Sequence, residues 1–107
     1  IFTLLVKQAA EKLKDYHVAL HEEHHSQKID APSGTAKQLL KHLPNCPVTS
    51  LRLGSIVGKH EVIFDSPLDQ IRLTHEAKTR DAFAHGAIKG AEWLNQRKGT
   101  FTLEDML

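Results

Sequence analysis

The sequence predicts an α+β fold: one mixed sheet of about four strands, with helices packed on one face. Three observations carry this reading. Apolar residues recur at helical spacing near both ends of the chain. Between them, strand-like runs alternate apolar and polar positions. The last three of these runs are separated only by short turns, which predicts antiparallel neighbours. The chain has 107 residues, 40% hydrophobic and 25% charged, as befits a single compact domain.

The elements follow in order. FTLLVKQAAEKLK, residues 2–14, sets Phe2, Leu5, Val6, Ala9, Ala10 and Leu13 on one helical stripe. YHVALHEEH, 16–24, points Tyr16, Val18 and Leu20 one way and His17, Ala19 and His21 the other, as a strand does. DAPSGTA interrupts regular structure at Pro32 and Gly34. TAKQLLKHL, 35–43, reads as a short helix capped by Ser33 or Thr35 and stopped by Pro44. VTSLRLG (48–54), IVGKHEVIF (56–64) and QIRLTHEA (70–77) read as strands, with SPLD, 66–69, as a turn. RDAFAHGAIKGAEWLNQ, 80–96, carries Phe83, Ala84, Ala87, Ile88, Ala91 and Leu94 at helical spacing. Thr102 and Asp105 predict a capping box and a final helical turn. The sheet face away from the helices needs cover, and an apolar face there would pair with another subunit.

Composition removes several function classes. Fourteen basic and thirteen acidic residues nearly cancel, whereas nucleic-acid binders carry a basic excess. No apolar run approaches the roughly 20 residues that span a bilayer. The opening IFTLLVKQAAEKLK is apolar and then basic, the reverse of a secretory signal. It starts inside a helical pattern without an N-cap residue, so a preceding segment is expected. Cys46, the one cysteine, lies among Pro44, Asn45 and Pro47 without a CxxC. That fits a structural thiol in a reducing, cytoplasmic compartment.

Eight histidines are a large share for 107 residues, and three fall in HEEHHSQKIDAPSGTA, residues 21–36. His21, Glu22 and His25 spell H-E-x-x-H, the pattern of a zinc hydrolase. That chemistry needs a helix, where positions i and i+4 meet on one face. Here the letters follow a strand-like run, and strand geometry sets His21 and His25 about 13 Å apart. No metal is expected. An anion site fits better. PSGTA runs into a helix, whose first N–H groups lack internal partners and whose dipole favours negative charge. Gly34 allows close backbone approach, Ser33 and Thr35 add hydroxyls, and Lys28 supplies a point charge. His24 and His25 face opposite ways on an extended chain, so one can face a ligand and exchange a proton with it. The plain alternative is that Ser33–Gly34–Thr35 is only a helix cap.

The run E-x-H-H-x-x-K-x-D-A-P-S-G-T-A, Glu22 to Ala36, resembles the signature of the dihydrodipicolinate reductase family, also called 4-hydroxy-tetrahydrodipicolinate reductase. SLRLGSIVGKHEVIF and LTHEAKTRDAFAHGAIKGAEWL resemble further stretches of that family. The likeness covers residues 1–107 but only the family's C-terminal half. It implies a substrate-binding and tetramerisation domain, with the N-terminal dinucleotide-binding domain outside this chain, since no G-x-G-x-x-G loop is present. It implies NADH or NADPH as hydride source, bound mainly by that other domain. It implies a small dicarboxylate substrate, a route leading to diaminopimelate and lysine, and a homotetramer formed through the open sheet face. By the same resemblance His24 is the general acid. Lys28 holds a substrate carboxylate and steadies developing charge, His25 contacts substrate, and Ser33, Gly34 and Thr35 bind the second carboxylate. Arg80 matches a family arginine near the site, with a structural salt bridge as the other reading. The family's S-S-R reads Lys78-Thr79-Arg80 here. His60 and His75 are expected to be sheet or interface residues, and His17, His42 and His85 surface or packing residues. A different class of function is an oligomerisation module without activity of its own.

Overall fold

The computed structural model describes residues 1–107. Helix α1 spans Phe2–Lys12, strand β1 His17–His24, helix α2 Gly34–Leu40, strand β2 Val48–Arg52, strand β3 Lys59–Asp65, strand β4 Gln70–Glu76, helix α3 Asp81–Leu94 and helix α4 Leu103–Met106. The four strands form one mixed sheet in the order β2-β1-β3-β4. The predicted α+β class and strand count hold.

One neighbour relation differs from expectation. β2 does not pair with β3. It pairs in parallel with β1, Leu20 opposite Val48 and His24 opposite Arg52. β1 pairs antiparallel with β3, and β3 antiparallel with β4. A parallel pair needs a crossover, and α2 supplies it. The chain then returns from β2 to β3 around the end of β1. Hydrogen bonds from Leu53 N to His24 O (2.9 Å) and from Ser26 N to Gly54 O (3.0 Å) hold this bend. Gly54 has φ +51° there, a left-handed conformation that suits glycine.

The core lies between the sheet and helices α1 and α2. Val6, Leu20, Ala36, Leu39, Leu43, Val62 and Phe64 are buried together, with Phe2, Ala9, Ala10 and Leu13 packed against them. The predicted stripe of α1 is therefore correct except at Leu5, which is 49% exposed. Ser33 caps α2 by accepting a hydrogen bond from Ala36 N at 3.2 Å. The capping box of α4 forms as predicted between Thr102 and Asp105.

α3 departs from its pattern more strongly, because no residue in it is buried. Phe83 is 59% and Ile88 56% exposed, although both belong to the predicted stripe. Behind α3, the ring of Trp93 meets that of Phe101 edge-on at 5.2 Å, and Arg97 stacks 4.3 Å above the Trp93 ring. Lys7 ties α4 back to α1 through Glu104 at 3.3 Å.

The open sheet face is polar, where an apolar one would have needed cover. His21 contacts Thr49 and Glu23, Lys59 reaches Glu23, and Glu61 binds Arg72 and Thr74. No helix is long and apolar enough to cross a membrane.

Candidate active site at the end of strand β1

Alternation along β1 sends Val18, Leu20, Glu22 and His24 to the helix-covered face. The first two meet the apolar core. Glu22 and His24 stay buried, at 0% and 8% exposure. A buried charge is costly unless it is paired, and the neighbouring strands supply the partners. Arg52 lies opposite His24 on β2, and His60 lies opposite Glu22 on β3.

Glu22 is the hub. Its Oε1 accepts from Arg52 Nη2 at 2.8 Å and from the Ser33 amide at 3.4 Å. Its Oε2 contacts Nδ1 of His24. Burial alone would raise its pKa. Hydrogen bonds from Arg52 and Ser50, with the charges of Arg52 and His24, instead lower it to about 2. The carboxylate is therefore ionised across the physiological range. Burial lowers the pKa of His24, with Glu22 opposing the shift. His60 is lowered to about 4, by burial and then by the charge of His24. The two imidazoles meet edge-on with centroids 5.1 Å apart. Nε2 of His60 and Oγ of Ser33 are 2.9 Å apart. The Glu22 carboxylate, the α2 cap and the two buried histidines thus belong to one network.

Of the predicted site residues, the fold brings His24, Ser33 and the start of α2 together. Gly34 and Thr35 are exposed at that helix start. The Ser33 hydroxyl is committed inward, to Ala36 N and His60. Lys28 lies in the same loop, paired with Asp30 at 2.8 Å. His25 is half-buried, and its carbonyl accepts from Lys28 N at 3.2 Å. Arg80 stands apart. It is the exposed N-cap residue of α3 and forms no ion pair.

His60 was expected on the sheet or an interface. It is on the sheet, but 4% exposed and bonded to Ser33, so it belongs to the site. His75, its partner on β4, is exposed, with its ring 5.5 Å from that of Phe2. Sequence reasoning also passed over Glu22 and Arg52. The signal for Glu22 was its place two residues before His24, which on a strand means the same face. Arg52 and His60 reach the site through pairing across 28 and 36 residues from His24, for which one sequence carries no local signal.

The H-E-x-x-H letters lie on a strand and its exit, not on a helix. A different trio, Glu22, His24 and His60, has ligand-type atoms within 4.8 Å of one another. These groups already engage one another, Ser33 and Arg52, and a cation here would face the Arg52 guanidinium. A cavity of about 820 Å³ lies elsewhere, between α1 and the Pro44–Pro47 loop, and is lined by none of the site residues.

Residues 1–107 match the family model described as the C-terminus of dihydrodipicolinate reductase. Curated relatives called 4-hydroxy-tetrahydrodipicolinate reductase include proteins of Thermosipho africanus (42% identical over 96% of this chain and 48% of the relative), Methanocorpusculum labreanum (38%, 100% and 51%) and Christiangramia forsetii (37%, 89% and 47%). The chain spans about half the length of these relatives. Its fold matches the dipicolinate-bound dihydrodipicolinate reductase of Paenisporosarcina sp. TG-14, with TM-score 0.79 and 23% identity over 99% of this chain and 51% of that one. The H-H-x-x-K loop, its helix cap and the four-stranded mixed sheet thus sit in a chain that belongs to the dihydrodipicolinate reductase family, in its C-terminal part.

Proposed function

We propose that this chain is the substrate-binding and proton-delivering domain of a 4-hydroxy-tetrahydrodipicolinate reductase. The supporting observation is the placement of His24. It is nearly buried at the end of β1, within the loop that leads to the exposed start of α2. A ring dicarboxylate, such as the dipicolinate bound by the Paenisporosarcina relative, needs two positive poles near a proton donor. The α2 start offers one pole through the Gly34 and Thr35 N–H groups, while the Ser33 amide donates to Glu22. Lys28 offers the other on exchanging Asp30 for substrate. His25 contacts the ligand from the same loop, and Arg80 is a further binding candidate at the start of α3. A bound dianion also favours the imidazolium form of His24 and so offsets the lowering by burial. The acid then protonates a ring carbon of the reduced substrate.

In this family NADH or NADPH supplies the hydride. No glycine-rich loop stands between a strand and a helix here: Gly34 is the sole glycine at the β1–α2 turn, and Gly86 and Gly90 lie within α3. Cofactor binding mainly outside residues 1–107 is part of the proposal. So are lysine and diaminopimelate biosynthesis, a cytoplasmic location, and a homotetramer through the open sheet face. Mass measurement in solution reports the last directly and would also support the domain as an assembly module. The decisive experiment is kinetic. In the reductase carrying this chain, His24→Gln and Lys28→Ala should each lower kcat by roughly 10² or more. Full activity in both variants would overturn the reading.

A further inference from the structure

A histidine that delivers a proton from one ring nitrogen depends on what holds the other. Nδ1 of His24 contacts Oε2 of Glu22. Glu22 is wholly buried, and Arg52 holds its other oxygen at 2.8 Å. Arg52 is itself fixed: Nη2 also donates to Asp30 O at 2.7 Å, and Nη1 to Leu51 O at 2.9 Å. An ionised carboxylate accepts and never donates, so the proton of the neutral imidazole belongs on Nδ1. Nε2 lies beside Gly58, where a Cβ would stand 3.2 Å from it. A side chain there would crowd the ring, so glycine at this position lets His24 keep its orientation.

We propose that Glu22, anchored by Arg52, is a positioning residue: it fixes the His24 ring with Nδ1 protonated, so that Nε2 is the nitrogen that gives its proton to the ligand. The assignment rests on the reading of His24 as the acid. When the imidazolium acts, its Nε2–H bond breaks as the acceptor's new C–H bond forms. The N–H electron pair stays on Nε2, and the neutral ring remains Nδ1–H against Glu22. The charged and titratable groups facing His24 are Glu22 on β1, Arg52 on β2, His60 on β3 and Lys28 in the loop. Only Glu22 among them carries negative charge.

Long-range ¹H–¹⁵N correlation spectra of the labelled chain test this, with His24 assigned by its absence in His24→Gln. Above about pH 8 the wild-type ring should be the Nδ1–H tautomer. Glu22→Gln should mix the tautomers and lower the His24 protonation constant about tenfold. An Nε2–H wild-type ring overturns the proposal, and needs no variant to be seen. A Glu22→Gln spectrum and titration identical to wild type overturns it as well. Arg52→Met should move the tautomer in the same direction to a smaller degree. These readouts do not depend on turnover. Retained activity in His24→Gln would remove the acid role and leave the tautomer result standing.

Discussion

Two parts of the molecule treat water in opposite ways. At the end of β1 a carboxylate, an arginine and two histidines are largely withdrawn from solvent. Along α3 an apolar stripe with Phe83, Ile88 and Leu94 is left 46% or more exposed. Residue polarity alone would assign the two the other way round. What separates them is partners. Glu22 has Arg52, Ser33 and His24 within reach because β1 is central and has a strand on either side. α3 leaves the sheet from edge strand β4 and packs chiefly against α4. Burial is therefore a property of topology before it is one of composition.

That contrast can be broken experimentally. Glu22→Ala should have the largest effect, about 3–5 kcal/mol of lost stability, because Arg52 and His24 then face each other without a counter-charge. Guanidinium unfolding measures it, and a loss under about 1 kcal/mol would make the polar end no more essential than α3. The second test is pH. His60 has a folded pKa of about 4 against an ordinary 6.5. The unfolded chain takes up this proton first, so stability is full above pH 6.5 and falls toward pH 4. The slope approaches about 1.4 kcal/mol per pH unit. His60→Gln should flatten that fall in urea titrations at successive pH values. Ser33→Ala comes third, at about 1–2 kcal/mol, since it removes the α2 cap and the partner of His60 together. Ile88→Ser should be smallest, within about 0.5 kcal/mol by thermal unfolding, because that side chain has little cover to lose. A larger loss at Ile88 would mean that α3 packs in solution.

Sequence periodicity located every element to within a few residues, since it records which positions share a face. It does not record what covers that face. Leu5 and the α3 stripe were misplaced for this reason, and so was β2, whose place beside β1 depends on the α2 crossover. The candidate site was legible where its residues are close in sequence, from His24 to Thr35. His24 and the α2 cap fall together as read. Arg52 and His60 arrive by strand pairing, and Ser33 turned inward because His60 met it there. The open face carries cross-strand ion pairs, because alternation set Glu23, Lys59, Glu61 and Arg72 on one side.

The bend that carries the chain around β1 has a kinetic consequence. Glu22 meets Arg52 across 30 residues, and Ser33 meets His60 across 27. No contiguous fragment shorter than Glu22 to His60 contains the network. His24 therefore cannot acquire its surroundings until β1 has gained both neighbours, a non-local step that comes late and slowly in folding. Once formed, the β1 amides lie between two strands and should exchange hydrogen only through openings close to global unfolding. Local fraying can release α3, whereas losing the surroundings of His24 requires losing the sheet.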